Sequence, residues 1–426
     1  MNLKFKAYQF VCLLIITTLT SCNKEEEDIN YKDACANNLI SGCSKNAVYL
    51  DDNGVTLKAY DWAEPGFTGT IQGKTYTVVN RYQLETLIRN GANLDLAVTT
   101  KITDMSYLLK DAWTFNGDIG SWDVSNVKNM EGMFNKAYAF DQDLNYWNVS
   151  SVTNMNSMFS KATSFNGDIG SWNVSNVETM RGMFSEAESF NQDLNFWVVE
   201  NVTDMSWMFD QATAFNGNIS NWKVAKVRNM EFMFRWCEHF NADISEWDVS
   251  TVTNMEGMFY GSVFNQNIGD WDVSKVTNLK GMFADATLFN ADIGNWNVSN
   301  VYQISAMFKN ASSFNQDISK WQLEKTENLS FLFSGATTFN QDISNWNISH
   351  VTSIRNMFQN ASNFNQSLES WNVSNTTNMA QMFEGAISFN QDLSNWDVIK
   401  VDFCPLFSNN TPNWTLPKPN FTNCTP

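Results

Sequence analysis

Tryptophan recurs through most of this chain at a fixed interval, and that interval constrains the fold more than any other feature. Neighbouring positions lie 25 residues apart, except for one interval of 24 residues. A phenylalanine precedes each tryptophan by seven residues. Such a period is typical of stacked repeats, in which each unit buries its apolar side only against its neighbours. The twelve positions are Trp122, Trp147, Trp172, Trp197, Trp222, Trp247, Trp271, Trp296, Trp321, Trp346, Trp371 and Trp396.

Two shorter periods coexist within one repeat. The apolar residues between Met130 and Ala137 are spaced i, i+3, i+4 and i+7, which predicts a short helix with one buried face. Trp122 and Val124 flank a polar residue, which predicts a short strand with one buried face. The sequence therefore predicts an α/β repeat solenoid, with one short parallel strand and one short helix per 25-residue repeat and a cap at each end.

The regions outside the repeats are assigned to targeting and capping. Residues before the array include a strand-like run, Thr75–Val79, and a helical pattern around Leu84, Leu87 and Ile88. Stacked repeats need such caps because their end units lack a neighbour. The predicted domains are a signal peptide at 1–21, an acidic tether at 22–45, an N-terminal cap at 46–103, twelve repeats at 104–403 and a C-terminal cap at 404–426.

The N-terminus has the order of charge and apolarity of an export signal. Lys4 and Lys6 precede an apolar stretch that is too short to span a membrane stably. It ends in Leu-Thr-Ser-Cys at 19–22, which resembles the lipobox of bacterial lipoproteins and implies lipidation of Cys22. A plain secretory signal is the alternative. The acidic run 23–28 resembles the export signal of Bacteroidetes-type lipoproteins, which implies an outer-membrane protein facing the cell exterior.

Export to an oxidising compartment agrees with the positions of the cysteines. Cys35 and Cys43 lie close together before the repeats, and Cys404 and Cys424 lie at the C-terminus, so each pair is a candidate disulfide. Cys237 occupies a position that alanine holds in other repeats. We expect it to be a small buried thiol.

Composition excludes some function classes. A net charge of −18 argues against nucleic-acid binding, which needs basic residues to neutralise phosphates. The chain has only two histidines, both within repeats, and no phosphate loop, nucleophile elbow or metalloprotease motif. We therefore predict no enzymatic activity, and contact with the membrane only through the lipid.

Polar residues recur beside the repeat phenylalanine. Asn follows it in eleven of the twelve repeats, with Asp141 as the exception, which predicts a ladder of side-chain hydrogen bonds to the next coil. Asp recurs two residues later, and Asn or Ser replaces it in Asn218, Asn267 and Ser367. We expect these side chains to accept backbone N–H bonds and the protein to bind no cofactor. Calcium held between the coils is the alternative.

Candidate binding residues are those that depart from the repeat. The position before the second methionine is usually small or polar, but Trp207 and Phe232 occupy it in adjacent repeats. Trp236 and His239 lie nearby in the sequence. An exposed aromatic cluster on a polar surface is typical of a binding site. The alternative is that these side chains pack over neighbouring coils as an outer layer of the core.

The segment Phe-Asn-Gln-Asp-Ile-Ser-Asn-Trp-Asn-Ile-Ser at 339–349, followed by Val351-Thr352 and Met357-Phe358, resembles a known family. It is similar to the 25/26-residue bacterial surface-protein repeat of mycoplasma, Listeria and Bacteroidetes lipoproteins, allied to BspA-like leucine-rich repeats. The resemblance implies surface display and adhesion to a protein or glycan, without defined chemistry. Alternatives are a glycan-binding lipoprotein and a structural coat protein. The sequence does not indicate an oligomeric state.

Overall fold

The structure is a computed structural model that describes residues 46–426. The predicted signal peptide and tether lie outside the described residues, and so do Cys22, Cys35 and Cys43. Within the described range, a small α/β unit precedes a long stack of coils. The prediction of a repeat solenoid is confirmed, but the structure inside each repeat differs from the expectation.

The N-terminal unit contains five short strands. An antiparallel hairpin, β1–β2, lies beside a three-stranded sheet in the order β3-β4-β5. Strands β3 and β4 are antiparallel, whereas β4 and β5 are parallel. The predicted strand at Thr75–Val79 is present as β4. The bounds are β1 Val48–Leu50, β2 Leu57–Ala59, β3 Thr68–Ile71, β4 Lys74–Val78 and β5 Ala97–Val98.

One helix, α1 (Arg81–Arg89), connects β4 and β5. It begins with a capping box, in which the Asn80 side chain accepts from Gln83 N and the Gln83 side chain accepts from Asn80 N. Both bonds satisfy donors that a helix N-terminus leaves free. Leu84 is buried, so the predicted helical segment is confirmed.

The helix predicted for each repeat is absent, and residues 130–137 show why. The N–H groups of Gly132 and Lys136 donate to carbonyl oxygens of the next coil, at 2.8 Å each. Both residues have positive φ angles, 57° and 61°, a left-handed conformation that a right-handed helix does not contain. The prediction of one helix per repeat is wrong, because α1 is the only helix in residues 46–426.

Two successive turns explain the helix-like spacing. Met133 N donates to Met130 O at 3.2 Å, and Ala137 N donates to Phe134 O at 2.9 Å. Each four-residue turn returns the chain to the core, so its first and last residues are buried. Two such turns in sequence reproduce the i, i+3, i+4, i+7 pattern of a helix.

The predicted strand at Trp122–Val124 is also wrong. Backbone turns bracket this segment, since Trp122 N donates to Ile119 O and Val127 N to Val124 O. Neighbouring coils instead pair through single parallel bridges seven residues after each tryptophan, such as Asn129 with its counterpart one repeat later. One bridged residue per coil is too short to form a strand.

The core is a set of aromatic columns. The repeat tryptophans are all buried, and Trp122 and Trp147 lie parallel, with ring centroids 6.4 Å apart and planes 5° apart. From Trp147 onward each indole N–H donates to a carbonyl of the preceding coil, as Trp147 Nε1 does to Ile119 O at 3.1 Å, and Trp122 Nε1 donates to Leu94 O of the N-terminal unit. Without this bond each buried indole N–H would be unpaired, at a cost of about 1–3 kcal/mol.

The predicted asparagine ladder is present. Asn116 Oδ1 accepts from Asp141 N, and Asp141 Oδ1 accepts from Asn166 N, at 2.9 Å each. The series continues coil by coil to Asn390, which accepts from Thr415 N. These bonds link each coil to the next.

The two irregularities of the array are absorbed without disturbing the core. In the coil with the 24-residue interval, buried Ser262 takes the alanine position and donates to Phe259 O at 2.9 Å. The lost residue lies between Ser262 and Phe264, and the asparagine ladder continues beyond it. Cys237 is a free buried thiol, as expected, and donates to Phe209 O. Burial raises the pKa of that thiol well above its usual value.

The two ends of the stack are closed by different groups. At the N-terminal end, Leu57 N donates to Ser121 O, and the Arg81 guanidinium donates to the carbonyl oxygens of Asp104 and Ser106. At the C-terminal end, the aromatic rings of Trp414 and Phe421 cover the last core residues. The expected disulfide between Cys404 and Cys424 is present there, with Cα atoms 5.8 Å apart.

Candidate interaction surface

Two columns of residues, each with one member per coil, run along the turn side of the stack. We call them the first and second outer columns, and every member has a positive φ angle. The first outer column is Tyr107, Gly132, Ser157, Gly182, Trp207, Phe232, Gly257, Gly281, Ala306, Phe331, Asn356, Gln381 and Leu406. The second outer column is Asp111, Lys136, Lys161, Glu186, Gln211, Trp236, Gly261, Asp285, Asn310, Gly335, Asn360, Gly385 and Asn410.

The outer columns vary strongly while the core columns barely change. The core positions hold Trp, Phe, Met and small aliphatic residues in coil after coil. The outer columns instead hold residues from glycine to tryptophan, with either charge. A constant frame that presents variable side chains on one side has the organisation of a recognition surface.

The bulkiest part of both columns lies in two adjacent coils and the coil after them. Trp207 and Phe232 have ring centroids 4.7 Å apart, and Trp236 lies 5.3 Å from Tyr260. Trp236 is 40% exposed, whereas Trp207 and Phe232 are half-buried. We call these four aromatic residues together with Arg235 the aromatic face. Three of the four predicted binding residues therefore lie within it.

An ion pair fixes the aromatic face from beneath. Arg235 Nε lies 2.7 Å from Asp210 Oδ1, and its Nη2 lies 2.9 Å from Asp210 Oδ2. The guanidinium Cζ lies 4.8 Å from the Trp207 ring centroid and 4.9 Å from that of Phe232, within cation–π range. Burial raises the pKa of the Asp210 carboxyl, although the Arg235 charge and hydrogen bonds oppose this shift.

Glycines in the next coil make room for two of these rings. A Cβ atom on Gly257 would overlap the Phe232 ring, and one on Gly261 would overlap the Trp236 ring. The outer aromatic side chains thus lean toward the following coil. A hydrogen bond with Asp285, together with burial, raises the pKa of Tyr260 to about 12.

His239, the fourth predicted binding residue, is placed differently. Its side chain is exposed, and Nδ1 lies 2.8 Å from the carbonyl oxygen of Thr213 in the preceding coil. Arg235, Asp210 and Tyr260 were not among the predicted residues. Asp210 and Arg235 could have been identified from the sequence, because they are oppositely charged and lie one repeat apart.

Carboxylates of the repeat accept backbone bonds. Asp118 Oδ1 accepts from Gly120 N at 2.9 Å, and Asp392 Oδ1 accepts from Ser394 N at 3.0 Å. Hydrogen bonds from the Ser394 hydroxyl and backbone lower the pKa of Asp392. Within residues 46–426, no three His, Cys, Asp or Glu side chains are grouped closely enough to hold a metal ion.

The sequence of the stack matches a known family model. The family is described as "Mycoplasma protein of unknown function, DUF285", and it matches residues 82–197, 186–268, 233–346 and 328–414. The chain belongs to this family. The overlapping matches follow the tandem repeats, and they confirm the resemblance to the mycoplasma-type surface repeat. The family description assigns no activity.

Solved structures of leucine-rich-repeat proteins are similar at low identity. A leucine rich cell surface protein from Faecalibacterium prausnitzii is 10% identical, with a TM-score of 0.27, and the match covers 81% of this chain and 91% of that one. A Leptospira interrogans LRR protein is 8% identical over 59% and 83% of the two chains, with a TM-score of 0.16.

A TLR13–ssRNA13 complex also matches, with 10% identity and a TM-score of 0.24 over 75% of this chain. The match covers 52% of the TLR13 chain, so this chain spans about half of its length. At these TM-scores, none of the three is a close structural match. No curated protein has a significantly similar sequence. Across residues 46–426, no helix has the length and apolarity needed to cross a membrane.

Proposed function

We propose that this protein is a non-catalytic cell-surface interaction module that binds a protein partner through the aromatic face. The coil stack holds the face rigidly, and the outer columns supply its side chains. Tryptophan and arginine, which dominate the face, are the residues that most often carry binding energy at protein interfaces.

The main support for this proposal is that bulky aromatic residues occupy positions whose backbone conformation is unfavourable for them. Trp207, Phe232 and Trp236 have φ angles of 61°, 51° and 55°. A left-handed conformation costs a residue with a side chain about 1–2 kcal/mol, whereas glycine avoids this cost. Glycine occupies the same columns in several other coils. Three strained aromatic residues within two adjacent coils indicate a function that outweighs their cost.

The geometry favours a protein over a glycan. A sugar ring stacks best on a flat aromatic platform. The Trp207 and Phe232 rings are tilted by 47°, and the Trp236 and Tyr260 rings by 70°. The face is therefore uneven, with an arginine between the rings, and suits side chains of a partner protein.

We further propose that Cys22 carries a lipid that anchors the chain at the outer membrane, with the coil stack facing the exterior. The lipobox-like sequence supports this proposal. Replacement of Cys22 by alanine should release the protein from the membrane fraction. Retention in that fraction would contradict lipid anchoring.

The test of the aromatic face compares three forms of the full chain on parallel arrays of purified extracellular proteins and of glycans. The double variant Trp207→Gly/Trp236→Gly should lose binding by about tenfold or more. Its stability should change little, because relief of backbone strain offsets lost packing. The matched control, Phe331→Gly, removes an aromatic residue at the same kind of position elsewhere in the first outer column and should bind normally.

Two results would contradict this proposal. A large fall in the melting temperature of the double variant with binding retained would identify the aromatic residues as an outer layer of the core. Binding to glycans alone would support the glycan-binding alternative.

A further inference from the structure

The C-terminal coil ends in a row of backbone donors without acceptors. In the preceding coil, the N–H groups of Gln381, Phe383 and Gly385 donate to carbonyls of residues 405–409, at 2.8–3.0 Å. The corresponding donors of the last coil are Leu406, Ser408 and Asn410. Among residues 46–426, none of the hydrogen bonds found has one of these three N–H groups as donor. We call this row the open edge.

The C-terminal tail closes the core of the last coil with side-chain contacts. Phe421 packs against Phe407, with ring centroids 4.9 Å apart, and Lys418 Nζ donates to the Ser408 hydroxyl. These contacts cover the core side of the coil. They involve side chains and leave the backbone donors of the open edge unpaired.

Two exposed apolar side chains flank the open edge, and at one of these positions, that of Phe403, the earlier coils all have polar residues. Phe403 is 51% exposed and Leu406 is 47% exposed. The twelve earlier residues in the position of Phe403 are all polar: Asp104, Asn129, Asn154, Thr179, Asp204, Asn229, Asn254, Asn278, Gln303, Asn328, Ser353 and Asn378. End coils of solenoids normally have a polar outer face for solubility. This one departs from that rule.

The neighbouring residues explain why a phenylalanine is tolerated at position 403, but they do not explain what it stabilises. In other coils the polar side chain accepts from the N–H two residues on, as Asn129 does from Glu131 N. The corresponding residue here is Pro405, which has no N–H. The position is therefore free to hold any side chain. The apolar surface of an exposed phenylalanine remains in contact with water, which is unfavourable, unless a partner covers it.

The opposite end of the stack argues against a second copy as the partner. A copy stacked head to tail would offer the carbonyls of its first coil. The N-terminal unit already lies against that coil: Leu84 belongs to the same core cluster, and Arg81 donates to the carbonyls of Asp104 and Ser106, at 3.0 and 2.6 Å. Two C-terminal ends facing each other would oppose donors with donors.

We propose that the open edge binds a segment of a different polypeptide that takes up the turn conformation of a coil and adds to the stack as the next coil would. Alternate backbone carbonyls of that segment accept from Leu406, Ser408 and Asn410, and an apolar side chain of the segment covers Phe403. Strand addition at an exposed edge is a known mode of peptide recognition. This site goes beyond the proposed function, because it lies six coils beyond Tyr260, the nearest residue of the aromatic face.

The experiment selects short linear peptides from a random displayed library on the immobilised full chain. Selected peptides are then measured against the double variant Phe403→Asn/Leu406→Gly. Both substitutions restore residues that earlier coils use at these positions, so the variant should fold at least as stably. The peptides should bind it about tenfold or more weakly. Peptides in which esters replace the pairing amides, whose carbonyls accept more weakly, should also lose affinity.

Other outcomes overturn the proposal. Equal binding to both forms, or failure to select any peptide, would show that the open edge is not a recognition site. Self-association of the wild-type chain that the double variant abolishes would identify a second copy as the occupant instead. The Trp207→Gly/Trp236→Gly variant should bind the peptides normally, so failure of this inference and failure of the proposed function are distinguishable.

Discussion

The two ends of the coil stack meet the same physical requirement in different ways. Every coil needs a neighbour on each side, because its backbone groups pair with both. At the N-terminal end a folded unit supplies the partners, and Arg81 donates to the carbonyls of Asp104 and Ser106. At the C-terminal end the tail covers the core, and within residues 46–426 the N–H groups of Leu406, Ser408 and Asn410 have no acceptor. Covering the apolar core of an end coil therefore does not by itself pair the backbone N–H groups at its edge.

The largest expected effect tests whether the two ends are equally coupled to the stack. Trp122 donates to Leu94 O of the N-terminal unit and stacks on Trp147. Trp122→Ala should lower the free energy of unfolding by about 3–5 kcal/mol and loosen both the N-terminal unit and the first coils. Trp396 stacks on Trp371 and donates to Leu368 O, so both of these contacts lie within the repeats. Trp396→Ala should loosen the last coils alone.

Chemical denaturation and amide hydrogen exchange of both variants would measure this difference. Equal loss of protection along the whole chain in both variants would mean that the stack unfolds as one unit from either end.

The disulfide should matter next. Cys404 and Cys424 close a loop with a sequence separation of 20. Its loss in Cys404→Ser/Cys424→Ser should destabilise by about 3 kcal/mol in the chain-entropy model. Increased hydrogen exchange should be confined to the C-terminal end. The matched control is Cys237→Ala, which restores the residue found in other coils and should cost less than about 1 kcal/mol.

The Arg81 seal should have a smaller effect, because the side chain is partly exposed. Arg81→Ala removes two charge-assisted bonds to carbonyls and should cost about 1–2 kcal/mol, with faster exchange in the first coil. Arg81→Lys should recover part of that loss. A variant as stable as the wild type would show that the N-terminal end needs no such seal.

The same site predicts a dependence on pH. Burial of Asp104 tends to raise the pKa of its carboxyl, but bonds from Ser106 and the Arg81 charge outweigh it and lower that pKa. The folded state therefore binds this proton less readily than the unfolded state. The stabilisation is complete above the usual carboxyl pKa of about 3.9 and is lost as the pH falls through the lowered value. Below pH 4, the melting temperature of Arg81→Ala should depend less steeply on pH than that of the wild type.

The smallest expected effect is that of a chelator. The repeat carboxylates already accept backbone bonds, as Asp118 does from Gly120, so EDTA should leave the melting temperature unchanged. A fall of several degrees in the melting temperature would show that calcium holds the coils together.

Particular residues show how far prediction from sequence reaches. The Asn116 ladder and the buried thiol of Cys237 follow from their positions in the repeat, and the Cys404–Cys424 bridge follows from the position of both cysteines at the C-terminus. The segment from Met130 to Ala137 does not, because two successive turns bury the same four positions as a helix would. Apolar spacing records which side chains face the core but does not record the φ angles that bring them there.

Because burial selects side chains by type, the repeat, its period, the core residues of each coil and the positions of the exceptions can all be read from the amino-acid sequence. The conformation of the turns, the contact of Arg235 with two aromatic rings and the open edge at Leu406 are visible only in the three-dimensional structure. These depend on backbone angles and on contacts between residues one coil apart. A sequence pattern constrains such contacts only after the stacking is known.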